Sequence, residues 1–323
     1  MPESEKRLID RIRRQARVGA SRVASVGLIA GIGDDAAVLR LPPKHDLLVT
    51  TDFSIENVHF RREWHPPEVV GWRCLTRGLS DIAAMGGAPV AAFLSLAVAS
   101  DIPQLWIDRF VKGLLGLARK FNVPLAGGDT ANTVDGIQAD IVVVGAVPKG
   151  TAILRSGAKP GDKIYVTGDL GGAAAALARL RDSLPLGAES SRIFHPMPRV
   201  DVGQWLRRHK IASAMIDISD GLSTDLDHIC QESGIGAEIE AGLIPRSLSG
   251  RRKKEAVALD FALHGGDDYE LLFTSAKLVP SKIEGVRITC IGQTIRKGMR
   301  LIDADGKNRM LEPKGWEHFR DSR

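Results

Sequence analysis

A two-domain α+β protein is the architecture this chain predicts, and three observations carry the prediction. Amphipathic stretches of helical period and β-branched apolar runs are mixed, without the regular strand–helix–strand alternation of a doubly wound sheet, so layered α/β domains of α+β type are expected. At 323 residues the chain exceeds the usual size of one domain. The turn Pro148-Lys149-Gly150 falls near the middle, and a fresh series of strands and helices begins after it. The expected domains are 1–148 and 149–323.

In the first domain, residues 4–17 predict a helix with Leu8, Ile9 and Ile12 as its apolar stripe. Residues 18–33 are small and Gly-rich, the composition of a mobile loop. AAVLRL and DLLVTTD read as two strands joined by PPKH in a hairpin-like connection. A long helix follows: Pro66 and Pro67 mark its start, and Val69, Trp72, Leu75, Leu79 and Ile82 mark one face. Next come the strand PVAAFLSLAV, the helix PQLWIDRFVKGLLGLARKFN, the short strand VPLAG and the strand IQADIVVVGAV.

The second domain restarts with the strand KIYVTG and an Ala-rich helix near 171–182. Residues 183–199 look irregular. DVGQWLRRH predicts a helix, SAMIDIS a strand, DGLSTDLDHICQES a helix and AEIE a short strand. RRKKEAVALDFALHGG predicts a helix ending at glycines. DYELLFT and RITCIGQT are strands.

Composition excludes several classes. A hydrophobic fraction of 44% is enough to build cores. The net charge of +5 is spread along the chain, and the clusters RIRR and RRKK read as solvated helix faces rather than as a nucleic-acid footprint. The scarce aromatics do not interleave with Lys or Arg as a stacking platform requires. Cys74, Cys230 and Cys290 are far apart in sequence, with neither zinc spacing nor a disulfide framework, so buried thiols are expected. The N-terminus lacks the apolar core of a signal peptide, and no run reaches the ~18 apolar residues of a membrane helix. A reducing cytoplasm is the expected location.

The chemistry is concentrated in six short acidic motifs: GIGDD (31–35), TTD (50–52), LSD (79–81), GGDT (127–130), DISDG (217–221) and HGGDDYE (264–270). Most place an aspartate beside Gly, Ser or Thr, close to an apolar run. An aspartate at a strand mouth can ligate a hard cation, and a glycine lets a phosphate approach the backbone. Aspartates with no cation between them repel one another, so the set points to several Mg²⁺ ions holding a polyphosphate. Each motif also has a plainer reading. Asp34 and Asp35 suit a tight turn, and Thr51 with Asp52 suits a strand-end cap. Asp81 lies late in a helix, among apolar neighbours and against the helix dipole, where a metal would relieve it. Gly127 and Gly128 free backbone N–H groups for an anion beside Asp129, but the Lys of a Walker loop is missing. Ser219 or Asp220 suits a helix N-cap, and that helix N-terminus is also an anion site. Gly265 to Asp268 repeat the theme. No nucleophile elbow and no constellation of histidines is present.

Taken together, GIGDDAAV, TTDFSIENVHF, LSDIAAMGGAP, GGDT, RSGAKPGD, IDISDGLSTDL, GGDDYELLF and the closing KGWEHF resemble the thiamine-monophosphate kinases. These belong to a superfamily shared with aminoimidazole ribonucleotide synthetase, selenophosphate synthetase and a hydrogenase maturation protein. The resemblance runs in order along nearly the whole chain. It implies two α/β domains of aminoimidazole ribonucleotide synthetase-like fold, a homodimer joined through the N-terminal domains as a barrel, and ATP-dependent phosphorylation of thiamine monophosphate to thiamine diphosphate. Carried over by motif, Asp35, Thr50, Thr51, Asp52, Asp81, Asp129 and Asp217 hold several Mg²⁺ ions, with Asp220 an outer member. Gly128, Arg155 and Ser219 contact ATP. His59, Asp267 and Trp316 meet the acceptor. Two departures stand out: Asp267 replaces the family's usual Glu, and Asn57 stands where Gly is common. No general base is expected, because a phosphate monoester acceptor is already anionic. The alternatives are another ATP-using enzyme of the superfamily and, from a different class, a non-catalytic nucleotide-binding scaffold.

Overall fold

Helix α1 (Glu5–Arg17) opens the chain in the computed structural model, which describes residues 5–17, 27–32, 35–250 and 254–319. These residues divide into two units, Met1–Ile82 with Gly87–Thr151 and Ala83–Gly86 with Ala152–Arg323.

In the first unit α1 is followed by β1 (Gly27–Ala30), β2 (Val38–Arg40), β3 (His45–Ile55), α2 (Pro67–Ala84), β4 (Ala88–Val98), α3 (Gln104–Lys120), β5 (Leu125–Asn132) and β6 (Ile137–Pro148). The main sheet has the order β3-β6-β4-β5; β6 is antiparallel to both neighbours, and β4 and β5 are parallel. Helix α2 covers one sheet face at very close range. A Cβ on Gly78 would lie 2.5 Å from the Val143 side chain. Helices α2 and α3 also meet backbone to backbone, since a Cβ on Gly71 would fall 1.9 Å from the Phe110 carbonyl oxygen. Leu75, Leu79, Ile82, Phe110, Ile141 and Val143 are buried there, each contributing roughly 1.5–3 kcal/mol of apolar transfer. The other sheet face carries Leu47, Val49 and Phe53 of β3, which are 53–61% exposed.

In the second unit follow β7 (Lys163–Thr167), α4 (Gly172–Arg181), α5 (Ser190–Phe194), α6 (Val200–Arg208), β8 (Ala214–Ile218), α7 (Leu222–Ser233) and β9 (Gly236–Glu240). After them come β10 (Leu248–Ser249), β11 (Glu255–Ala256), α8 (Leu259–His264), β12 (Glu270–Ser275), β13 (Lys282–Ile283), β14 (Val286–Ile295), β15 (Met299–Ile302) and β16 (Asn308–Met310). The sheet order is β16-β15-β9-β14-β7-β12-β8, mostly antiparallel, with β13 pairing β14. Strands β8 and β12 are buried at every position, so their polar residues Asp217, Glu270, Thr274 and Ser275 are enclosed rather than turned to solvent. The α+β architecture is the one expected.

Several local expectations are corrected. PPKH does not close a hairpin: β2 pairs with β1, and β3 pairs with β6 over eleven residues. Within 18–33, residues 27–30 form β1, while 18–26 and Gly33 lie outside the described residues. Asp34 and Arg251 to Lys253 also lie outside them. TTD does not end its strand but sits inside β3, and GGDT lies inside β5, because the parallel ladder to β4 runs on to Asn132. The segment 183–199 includes the short helix α5. Of the helix predicted from RRKK onward, the described residues are helical over Leu259–His264, and Glu255–Ala256 instead pairs with β10. The N-cap of α7 is Gly221, with no side-chain cap from Ser219 or Asp220. Among the described residues, no helix is long and apolar enough to cross a membrane. The buried thiols of Cys74 and Cys230 are each pushed up to about 12 by burial.

Candidate active site

Strand alternation sorts the acidic residues of the first unit onto two faces of its sheet. Thr50 and Asp52 share one face, and Thr51 takes the other with Leu47, Val49 and Phe53. On the helix-covered side, the close approach at Gly78 brings α2 down onto β3, and the Thr50 hydroxyl donates to the Asp81 carboxylate in a short hydrogen bond. Burial, and then the neighbouring Asp81 carboxylate, push the Asp52 carboxyl up to about 7, against the opposing pull of the Arg77 guanidinium. On the open side, Thr51 Oγ1 donates to Asp140 Oδ1 at 2.7 Å. Asp140 is opposite Ser95, and Ser95 is opposite Asp129, so these three form one row across β6, β4 and β5. Asp140 is an additional acidic residue that motif reading missed. Its signal was present: a lone carboxylate inside the apolar strand IQADIVVV.

Beside this row a cavity of about 520 Å³ is lined by Ile9 and Ile12 of α1, by Asp35, and by Gly127 to Thr130. Gly128 has φ +146°, and a Cβ there would lie 1.8 Å from the Leu94 carbonyl oxygen. Only glycine permits this approach of β5 to β4.

The second unit gathers three separate motifs at the N-terminus of α7. Asp217 is the penultimate residue of the buried strand β8, and Ser219 and Asp220 form the turn into the helix. The Asp267 amide donates to the Ser219 carbonyl at 2.8 Å, and the Trp316 amide to the Asp220 carbonyl at 2.9 Å. Asp267 is held in the left-handed region (φ +66°), and its Oδ1 accepts the buried Tyr269 hydroxyl at 2.7 Å. Asp225 was not among the expected residues. It accepts the amides of Asp220 and Gly221 at 3.2 and 3.0 Å, and burial, followed by the charges of Asp217 and Asp220, raises its carboxyl well above the usual carboxylate range. Asp220, Asp225 and His228 each offer a ligand atom within 4.8 Å of the others. The DLDH spacing on α7 was the available signal for Asp225 and His228.

Residues 33–150 match the family described as AIR synthase related protein, N-terminal domain, and residues 159–279 match its C-terminal domain. The chain is 39% identical over 319 residues to thiamine-monophosphate kinase of Salmonella typhimurium, covering 94% of this chain and 95% of that protein. The chain belongs to the thiamine-monophosphate kinase family. Among solved structures, the thiamine-monophosphate kinase of Stenotrophomonas maltophilia superposes with a TM-score of 0.80 at 35% identity, covering 95% of this chain and 98% of that one. "AaThiL complexed with AMPPCP and TMP" superposes with a TM-score of 0.75 at 32% identity, covering 98% and 97%.

The two departures from the thiamine-monophosphate kinase pattern have local explanations. Asn57 adopts φ +65°, a left-handed conformation that Asn tolerates better than most residues, so the turn after β3 survives the loss of Gly. His59 stays in register there. Its Nδ1 accepts the Ile55 amide at 3.0 Å, which makes Nε2 the donor of the neutral ring. Asp267 is fixed by Tyr269 and Ser219 as described. Arg155 is placed apart from Ser219: its carbonyl accepts the Ser233 hydroxyl, at the far end of the 12-residue helix α7, about 18 Å along the axis.

Proposed function

We propose that this protein transfers the γ-phosphoryl group of ATP to thiamine monophosphate, giving thiamine diphosphate, by direct in-line transfer with several Mg²⁺ ions. Membership of the thiamine-monophosphate kinase family supports the reaction. So does the likeness, over nearly the whole chain, to a homologue complexed with AMPPCP and TMP. The observation that carries the reading is the cluster of Thr50, Asp52 and Asp81, in which burial, and after it the Asp81 charge, pushes the Asp52 carboxyl up to about 7. Carboxylates and hydroxyls are the donors Mg²⁺ selects, and like charges held this close fit a cation between them.

Thr50, Asp52 and Asp81 on one sheet face, with Thr51, Asp129 and Asp140 on the other, are the first-unit candidates to hold Mg²⁺, together with Asp35; Asp217 and Asp220 are those of the second. Bound Mg²⁺ supplies charge neutralisation to the phosphates. Unscreened, two like charges ~4 Å apart repel by several kcal/mol at a surface-like dielectric. In the first unit, Gly128 and the cavity beside it are the candidates to receive the nucleotide; in the second, Ser219 and Arg155 are candidate ATP contacts. The candidates to contact the acceptor are His59, through its Nε2 donor, in the first unit, and Asp267 and Trp316 in the second, a Trp ring being suited to a cationic thiazolium. The acceptor oxygen is already anionic near neutral pH, so the residues orient the reactants and need not remove a proton.

The apolar face of Leu47, Val49 and Phe53 on the edge strand β3 supports a homodimer closed through this sheet, since an exposed edge and face of this kind are normally covered. The activity is tested with purified protein, MgATP and thiamine monophosphate, following the diphosphate product with EDTA as control. Inversion at a chiral γ-phosphorus is expected; retention would exclude direct transfer.

A further inference from the structure

Three consecutive backbone amides of the C-terminal segment are each held by the opening of α7. The Lys314 amide donates to Ser223 Oγ at 3.3 Å, the Gly315 amide to Thr224 Oγ1 at 2.9 Å, and the Trp316 amide to the Asp220 carbonyl at 2.9 Å. Upstream, Leu311 is buried in the core of the unit. Downstream, the Trp316 side chain is half exposed. The segment is therefore anchored by one apolar side chain and three amides, and it sets the backbone of Trp316 against Asp220, next to the Ser219 carbonyl that holds the Asp267 amide.

The fit depends on glycine and on hydroxyls. A Cβ on Gly315 would fall 2.2 Å from the Asp220 carbonyl oxygen and 2.6 Å from Thr224 Oγ1. Ser223 is fully buried, and its Oγ also lies 2.8 Å from His264 Nδ1, at the end of α8 just before the GGDD turn. The hydroxyls of α7 thus face other segments rather than capping their own helix, whose N-cap has no side-chain bond.

We propose that Thr224, assisted by Ser223, is a positioning residue for the acceptor: it fixes segment 314–316 so that Trp316 stands over the Asp220 and Asp267 turns. This rests on the reading of Trp316 as an acceptor contact. Thr224 itself touches neither substrate. It acts by making the Trp316 position part of the fold rather than one to be ordered on binding, and pre-organisation of this kind is read in the acceptor KM rather than in the chemistry.

The test compares Thr224→Val, Thr224→Ser, Gly315→Ala and Trp316→Ala in the full-length protein. KM for thiamine monophosphate and for ATP is measured separately, and hydrogen exchange is followed in the peptide spanning 311–319. Thr224→Val removes the acceptor at constant shape. It is expected to raise KM for thiamine monophosphate about fivefold, the loss of one net hydrogen bond, with kcat and the ATP KM within about twofold, and to speed exchange of the 314–316 amides. Thr224→Ser restores both readouts. Gly315→Ala reaches the same state from the segment side and keeps the test decisive if Thr224→Val folds poorly. If Trp316→Ala raises the acceptor KM but Thr224→Val and Gly315→Ala speed exchange without changing it, the positioning role is overturned. If Trp316→Ala leaves the acceptor KM unchanged, the reading of Trp316 itself is overturned. Unchanged exchange in Thr224→Val overturns the anchor.

Discussion

Replacing Asp52 by Asn separates what the carboxylate does for folding from what it does for catalysis, because the two effects have opposite sign. In the metal-free protein burial and the Asp81 charge lift Asp52 from 3.8 to about 7. A carboxyl whose folded pKa is raised binds its proton more tightly in the folded state. Stability therefore falls as pH climbs from about 4 through 7, and the full penalty is present above 7. At about 1.4 kcal/mol per unit, the ceiling on that penalty is about 4 kcal/mol. Asn carries no charge, so at pH 8 in EDTA Asp52→Asn is expected to melt higher than wild type, by several degrees where each kcal/mol is worth about 2–4 °C. Below pH 4 the two proteins are expected to converge. Adding MgCl₂ is expected to raise the melting temperature of wild type strongly and that of Asp52→Asn little, while turnover of Asp52→Asn is abolished. Scanning calorimetry at pH 4, 6 and 8, with and without Mg²⁺, reads all of this. A variant that is less stable than wild type at pH 8 without metal, or that turns over normally at low Mg²⁺, would refute the assignment of Asp52 to a cation-linked carboxylate group.

Phe53→Asp places a charge in the exposed apolar face of β3 and is expected to yield monomers in sedimentation velocity; an unchanged dimer would show that this face is not the contact. Gly128→Ala sets a Cβ against the Leu94 carbonyl and is expected to raise the ATP KM at least tenfold and lower the melting temperature; a wild-type ATP KM would count against placing the nucleotide there. Glu270→Ala leaves Arg192 and Arg199 without their buried carboxylate and is expected to cost about 3–5 kcal/mol in denaturant titrations, whereas a loss below 1 kcal/mol would mean the cluster is dispensable.

Long periodic elements were legible because their pattern and their burial coincide. The predicted stripe Val69, Leu75, Leu79 and Ile82 is buried in α2, although the helix is enclosed well beyond that stripe and Trp72 is only half-buried. Elements fixed only by partners were not legible: β10 and β11 are two residues each and exist through their mutual pairing. Strand pairing likewise escaped the sequence, since nothing in PPKH says that β3 ladders onto a strand some ninety residues later. The acidic motifs were visible, but their division between sheet faces was not. TTD reads as one turn, whereas inside a strand its middle residue points away from the other two. Asp140 becomes informative only through Thr51, a neighbour distant in sequence, whereas Asp225 binds the Asp220 amide just five residues before it and was within reach of a local reading.

The GGDDYE motif shows how one acidic stretch divides its labour. Asp268 and Glu270 turn inward. The Asp268 carboxylate accepts the Gly171 amide at the start of α4, and burial pushes it up to about 7. Glu270, fully buried, binds Arg192, Arg199 and the Thr167 hydroxyl. These two carboxylates fill the space at the loop Gly168 to Gly172, between β7 and α4. A Cβ on Gly168 would meet Glu270 Oε1 at 2.1 Å, so the space glycine frees there is occupied by the protein's own acid. In the first unit, Gly127 and Gly128 line the cavity beside β5 instead. The left-handed backbone at Asp267 ties that residue to the Ser219 turn while its neighbours enter the core. A single run of carboxylates thereby divides: Glu270 is ion-paired in the core, Asp268 binds the Gly171 amide, and Asp267, the side chain proposed above to meet the acceptor, stands in the left-handed turn against Ser219.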